Sequence, residues 1–371
     1  MKNLYVITSS RADYGLLRNL ITEIKKNSKK YKLSIFATGT HLSKKYGETY
    51  KEIIEDGFKI KKKIYLPIKN DSAKNISECL AVAIKNFGRV FEKLNPDAIL
   101  ILGDRFEILG VAIASIINRV PIIHLHGGET TYGAYDDAFR HSISKMSSIH
   151  FVTNAIYKKR LEQLGENPKK IFVVGALGID NIVNLKKISK KNLEKELKKV
   201  FSKKNLLVTF HPVTLEKNTA LKNINILLSV LNKLKETSIF FTMSNSDSES
   251  DIINKKIKSF VIKNKNSYLF KSLGSKKYIS LLYRVDAIIG NSSSGVIEAP
   301  FLKIPTLNIG NRQEGRIMPE SVICCKSEEK DILKGIEKIF TKKFQQKLKI
   351  SKNLFGKGDT SKKILKILDD I

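Results

Sequence analysis

A chain of 371 residues with 42% hydrophobic side chains, 21 Gly and only 8 Pro is too long for one ordinary core and too apolar for a disordered protein, so two packed domains are expected. No apolar run approaches the ~20 residues that cross a bilayer, the first apolar run is too short for a secretory signal, and Cys79, Cys324 and Cys325 fit neither a disulfide framework nor a zinc motif; a reduced cytoplasmic protein with no membrane partner and no metal is expected. The net charge of +31 sits mostly on lysines scattered along the whole chain, without an interleaved aromatic stripe, and it is read as a compositional bias with no nucleic-acid partner.

In chain order, strand and helix patterns alternate from the start. A strand at 4–8 is followed by the polar turn SSRADYG and a helix at 16–24. A second strand at 32–37 runs into Thr38-Gly39-Thr40-His41, and a long helix covers 76–94. The stretch 99–141 organises the chain. Its apolar run at 98–102 reads as a strand buried on both faces, and it stops at Gly103, Asp104 and Arg105. A helix at 106–117 leads to a second buried strand at 122–125, which runs into His124, His126, Gly127, Gly128 and Glu129. Asp136, Asp137, Arg140 and His141 then share two turns of one helix. Two successive strands thus end in ionisable residues, at the edge where ligands bind in open α/β sheets. A strand at 150–153, a helix and a strand at 171–174 complete the series.

The lysine-rich stretch 179–204 is the expected linker. A second βα series follows, with strands at 206–210, 238–242, 268–270, 287–289 and 306–309 and helices at 221–234, 252–262, 277–282 and 296–300. A last helix at 361–371 could pack back on either domain. The fold class is therefore α/β, with Rossmann-like domains at 1–178 and 205–371 and a central cleft.

The sharpest signal of the second half is DAIIGNSSSGVIEAP. A buried strand ends at Gly290, and Asn291 and Ser292, Ser293 and Ser294 open a helix whose free N–H groups suit an anion. Gly290 and Gly295 have the spacing of a Walker A loop, but Val296-Ile297 stands where Lys-Ser/Thr is required, which excludes a P-loop ATPase. Glu298 could hold a ribose diol. Arg11 suits a phosphate, and His211, at a strand end before Pro212, could donate to a diphosphate or move a proton. Arg312 and Arg316 in GNRQEGR add positive charge, while His41 and His150 read as structural.

At these residues the chain resembles the hydrolysing UDP-N-acetylglucosamine 2-epimerases. The stretches SSRADYG, LGDRFEI, HLHGGET, DDAFRHSISKM, GNSSSGVIEAP and NIGNRQEGR carry the resemblance in the family's order across nearly the whole chain. It implies a GT-B-like pair of Rossmann-like domains, no cofactor, a nucleotide-sugar substrate, and a homodimer or homotetramer. By resemblance Arg11, Arg105, His211, Ser292, Ser293, Ser294, Gly295, Glu298 and Arg312 hold the nucleoside diphosphate, and Asp104, Asp136, Asp137 and Arg140 surround the sugar. Many members read H-x-E-G-G-E where this chain has His126 in place of the first glutamate, so either His126 or Glu129 takes the acid–base role. The implied reaction eliminates UDP to a glycal and hydrates it to N-acetylmannosamine. Alternatives are the same chemistry on a GDP-sugar or on UDP-2,4-diacetamido-trideoxyhexose, and a GT-B glycosyltransferase.

Overall fold

In the computed structural model, residues 1–370 are described apart from Lys217, 245–248 and Ser272. The chain forms two compact units, one of residues 1–129, 136–183 and 355–371, the other of residues 130–135 and 184–354.

Unit 1 runs β1 (Lys2–Thr8), α1 (Arg11–Lys26), β2 (Tyr31–Thr38), α2 (Tyr50–Glu55), β3 (Ile60–Ile64), α3 (Ala73–Leu94), β4 (Ala98–Leu102), α4 (Phe106–Ile117), β5 (Ile122–Leu125), α5 (Asp136–Lys145), β6 (Ile149–Val152), α6 (Ala155–Gln163), β7 (Ile171–Val173) and α7 (Leu177–Asn184). Its seven strands are parallel in the order β3-β2-β1-β4-β5-β6-β7. The chain direction across the sheet reverses at β1, so β1 and β4 flank a topological switch point. Strand side chains alternate between two buried faces. Leu4, Val6, Leu100 and Leu102 enter one core with α1, whereas Tyr5, Ile7, Ile99 and Ile101 enter the other with α3 and α4. This double burial is why the strand runs are continuously apolar.

Unit 2 runs α8 (Lys190–Leu197), β8 (Lys204–Thr209), α9 (Ala220–Asn232), β9 (Thr237–Thr242), α10 (Ser250–Lys263), β10 (Ser267–Phe270), α11 (Gly274–Leu282), β11 (Ala287–Gly290), α12 (Ser294–Phe301), β12 (Thr306–Ile309), β13 (Val322–Cys325), α13 (Glu329–Ile339) and α14 (Lys342–Ile350). Its six parallel strands take the order β10-β9-β8-β11-β12-β13, with the equivalent switch point between β8 and β11. The last helix, α15 (Thr360–Asp370), belongs to unit 1.

The units divide the chain differently from the expected boundaries. No linker spans 179–204: α7 closes the second stretch of unit 1, and α8 buries Leu193 and Leu197 in unit 2 beside Leu281 and Leu282. The C-terminal stretch returns to unit 1, where Ile364 and Leu368 of α15 join the core around Leu17 and Ile21 of α1. The Asp180 carboxylate fixes this return by accepting from the N–H groups of Thr360 and Ser361 at 2.9 and 2.7 Å, at the start of α15. Residues 130–135 are also part of unit 2. There Tyr132 N–H donates to the Glu314 carbonyl at 3.0 Å and the Thr130 hydroxyl to the Gly315 carbonyl at 2.5 Å.

Candidate active site

The predicted site residues lie at the carboxyl edges of the two sheets. In unit 1, Asp104 and Arg105 bridge β4 to α4, His126 and Glu129 follow the adjacent strand β5, and Asp136, Asp137 and Arg140 ride on α5. Arg11 is the first residue of α1, beyond the end of β1. Its turn is built by a capping box: the Asp13 carboxylate accepts from the N–H groups of Ser9 and Ser10 at 2.7 Å each, and Ser10 caps Asp13 N–H.

Arg140 gathers the unit 1 residues. The residue is 3% exposed, and its guanidinium pairs with the Asp104 carboxylate, lies 3.6 Å from Asp137 Oδ1 and donates to the Glu129 backbone carbonyl at 2.8 Å. One buried fork thus fixes the ends of two strands and the first turn of α5. Asp104 and Asp137 each keep about a fifth of their side-chain surface exposed, so the carboxylates remain reachable. His126 Nδ1 lies 3.4 Å from Glu129 Oε1, and Glu129 Oε1 also accepts from the Thr153 hydroxyl at 3.2 Å. His126 holds a left-handed backbone, φ 64°, an uncommon conformation for a non-glycine residue and one that directs its ring toward Glu129. The two candidates for the acid–base role are therefore partners.

Two neighbours position this cluster: His124, which the strand-end pattern already places among the ionisable residues, and Glu107, which the sequence reading missed. His124 is fully buried, and its Nε2 contacts the Gly103 carbonyl at 2.8 Å. A carbonyl only accepts, so Nε2 carries the proton and Nδ1 accepts from the Ser144 hydroxyl of α5 at 3.2 Å. Burial pushes its pKa from the ordinary 6.5 down to about 3, which keeps the ring neutral. His124 thus pins Gly103, the residue before Asp104, to the helix that carries Arg140. Glu107 is likewise fully buried, and its Oε1 accepts from Arg105 Nε at 2.7 Å, which orients the guanidinium. An acid inside the apolar run FEILGVAIASII was the signal available for it. His41 sits between the hydroxyls of Thr8 and Thr49 at 3.0 and 2.9 Å, and His150 lies 3.2 Å from Glu166; both positions are structural.

In unit 2 the hub is Asn291. Its side chain accepts from His211 N–H at 2.7 Å and donates to the His211 carbonyl at 2.8 Å, clamping the end of β8 to the end of β11. Its own carbonyl accepts from Arg312 Nη1 at 3.3 Å and Gln313 Nε2 at 2.8 Å. His211, Asn291 and Arg312 are therefore brought together around one residue that the sequence reading treated only as a helix opener. Gly290 permits this approach. Its φ is +134°, and a Cβ there would lie 2.0 Å from the Thr209 carbonyl oxygen.

The serine loop divides its work. Among the described residues, the N–H groups of Ser292 and Ser293 have no acceptor, and the Ser293 hydroxyl makes no capping bond to the helix it opens. These groups, one turn below Glu298, form the part able to hold an anion. Ser294 is already engaged by the Tyr278 hydroxyl at 2.6 Å. The Gly295 N–H donates to the Ser292 carbonyl at 3.1 Å, and a Cβ there would meet Thr306 Cγ2 at 2.6 Å. It is glycine so that α12 can press onto β12.

Paired doubly wound sheets with ionisable side chains at the carboxyl edge and an open helix start are the architecture of α/β enzymes that handle nucleotides. Within that class, the chain belongs to the UDP-N-acetylglucosamine 2-epimerase family, whose model matches residues 22–369. It is 44% identical over 346 residues to the GDP/UDP-N,N'-diacetylbacillosamine 2-epimerase (hydrolyzing) of Campylobacter jejuni, spanning 93% of this chain and 89% of that one. It is 38% identical to the polysialic acid biosynthesis protein P7 of Escherichia coli, over 100% of this chain and 94% of that one. It is 34% identical to the UDP-N,N'-diacetylbacillosamine 2-epimerase (hydrolyzing) of Legionella pneumophila, over 100% and 96%. Among solved structures, the Neisseria meningitidis UDP-GlcNAc 2-epimerase superposes with a TM-score of 0.85 over the full length of both chains at 20% identity, a likeness of fold.

Proposed function

We propose that this enzyme is a hydrolysing nucleotide-sugar 2-epimerase, converting a nucleoside-diphosphate-linked 2-acetamido sugar and water to the free C2-inverted sugar and nucleoside diphosphate. The observation that carries the reading is the Arg140 constellation, which holds Asp104 and Asp137 beside the His126–Glu129 pair at two adjacent strand ends.

The C2 proton of such a sugar has no neighbouring carbonyl and is not acidic. The reaction therefore begins at C1. The C1–O bond breaks and its electron pair leaves with the diphosphate, whose charge the Ser292 and Ser293 N–H groups and Arg312 stabilise. A carboxylate, Asp104 or Asp137, stabilises the oxocarbenium character and takes the C2 proton, forming the C1=C2 bond of a glycal. The second acid–base group, from the His126–Glu129 pair, then protonates C2 from the opposite face while water adds at C1. Arg140 keeps Asp104 and Asp137 aimed.

For the sugar, we place the 2,4-diacetamido-trideoxyhexose donor first, because two relatives at 44% and 34% identity carry N,N'-diacetylbacillosamine in their names. UDP-N-acetylglucosamine, giving N-acetylmannosamine, is the second reading; it is favoured by a 30% identical Neisseria meningitidis relative named UDP-N-acetylglucosamine 2-epimerase. The test is proton NMR of the purified protein with each donor in D₂O. Free nucleoside diphosphate and an inverted free sugar deuterated at C2 are expected with one of them. A nucleotide-linked inverted sugar, or no turnover of either donor with UDP or GDP attached, overturns the reading.

A further inference from the structure

A cavity of about 770 Å³ opens in unit 2 at the carboxyl ends of β12 and β13, beside the start of α9. Its lining includes none of His211, Ser292, Ser293, Glu298 or Arg312, so it is distinct from the phosphate-side residues. Asn308, the penultimate residue of β12, is one of the lining residues and is 2% exposed. Its Nδ2 is used within the protein, on the Gly310 carbonyl at 3.4 Å and on Cys324 Sγ at 3.6 Å. Its Oδ1 is buried with no donor among the described residues. A stranded buried acceptor is costly, and native proteins hold few of them without a reason.

The rest of the lining narrows the occupant. Phe210 and Met318 supply apolar surface, while the charged side chains balance: Lys222, Arg316 and Lys326 against Glu216, Glu314 and Glu328. A polyanion such as a diphosphate would gain little there. The volume falls in the range of small-molecule pockets.

We propose that this cavity is a second ligand site, for an uncharged molecule that carries an N–H or O–H donor for Asn308 Oδ1 and an apolar face for Phe210 and Met318. Nucleosides and free acetamido sugars share that chemistry. Its position links it to the diphosphate residues through one loop. Gly310, Asn311 and Glu314 line the cavity, whereas Arg312 and Gln313 of the same loop hold the Asn291 carbonyl. An occupant therefore braces the segment that presents Arg312.

The experiment is isothermal titration calorimetry of the full chain with uridine and, separately, N-acetylmannosamine, neither of which carries phosphate. One of them binds with one site per chain, and the one that binds identifies the source. Asn308→Leu, which keeps the γ-branched shape and removes the acceptor, weakens that binding about tenfold or more. Cys324→Phe, which fills the cavity from its exposed rim, does the same and covers the case in which the Asn308 variant does not fold. In the unmodified protein the bound probe slows alkylation of Cys324, read by mass spectrometry. Absence of binding by both probes, binding unchanged in the folded variants, or a Cys324 alkylation rate indifferent to bound probe overturns the proposal. None of these readouts requires turnover, so they fail or succeed independently of the epimerase reading.

Discussion

Arg140 and Asp104 are the pair on which the chemistry of unit 1 turns. Asp104→Asn removes the charge and the proton acceptor but keeps the shape, and it is expected to lower kcat about a hundredfold or more while UDP still binds in calorimetry. Near-normal turnover would remove Asp104 from the mechanism. Arg140→Lys is not conservative, because an ammonium cannot reach Asp104, Asp137 and the Glu129 carbonyl together. Turnover is expected to fall at least tenfold, and a variant with intact kcat would show that the fork is dispensable. Titration acts at this scale too. Burial lowers the pKa of His41, His124 and His150, so the native state resists protonation that the unfolded chain accepts near 6.5. The unfolded state then binds more protons below that pH. The stability from these neutral rings is complete above about pH 6.5 and is lost as pH falls toward 3, where His124 itself titrates. Thermal melts from pH 8 to pH 4 should show a falling Tm, with a smaller fall in His124→Gln; an equal fall in both would exclude His124 as a contributor.

The strand-end loops belong to the scale of elements. β8 and β11 are tied by Asn291 and by the contact that only glycine allows at position 290. Gly290→Ala puts a methyl group into the Thr209 carbonyl at a left-handed φ, and neither strand can retreat because both are buried in the sheet. The expected loss is about 2 kcal/mol or more, seen as a lowered Tm or loss of soluble protein. A variant as stable as the parent would show that the sheet can yield there. Sequence patterning served this scale well wherever strands were buried on both faces. It did less well after residue 310. β13 reads VICC and is only partly buried, as an edge strand is, and α13 and α14 follow with lysine-rich outer faces. The two helices lack the continuous apolar run that marked the interior strands, and the four apolar residues of β13 form only a short, partly buried edge.

On the scale of the molecule, the chain crosses between its two units more often than its sequence suggests. The last helix supplies Ile364 and Leu368 to the core of unit 1, held by Asp180 at the start of α15. Removing residues 360–371 strips both side chains from α1 and leaves the Asp180 carboxylate buried without its two donors. Unit 1 is expected to lose its cooperative melt, whereas a truncated chain that melts like the parent would make α15 an appendage. A milder version, Asp180→Ala, should cost about 1–3 kcal/mol.

Length, double-sided apolar runs and the glycine- and serine-bounded strand ends by themselves determined an α/β protein of two Rossmann-like series, and they located the ionisable clusters, because burial and turn chemistry are written locally. What the tertiary structure alone decided depends on contacts between residues distant in the chain. Arg140 reaches Asp104 across 36 positions, Asn291 reaches His211 across 80, and α15 returns to the core around α1 across more than 300. The lysine-rich stretch 179–204 misled for the same reason. Its pattern is mostly helical, but nothing local says which domain the helix joins; the burial of Leu193 and Leu197 against unit 2 places α8 there.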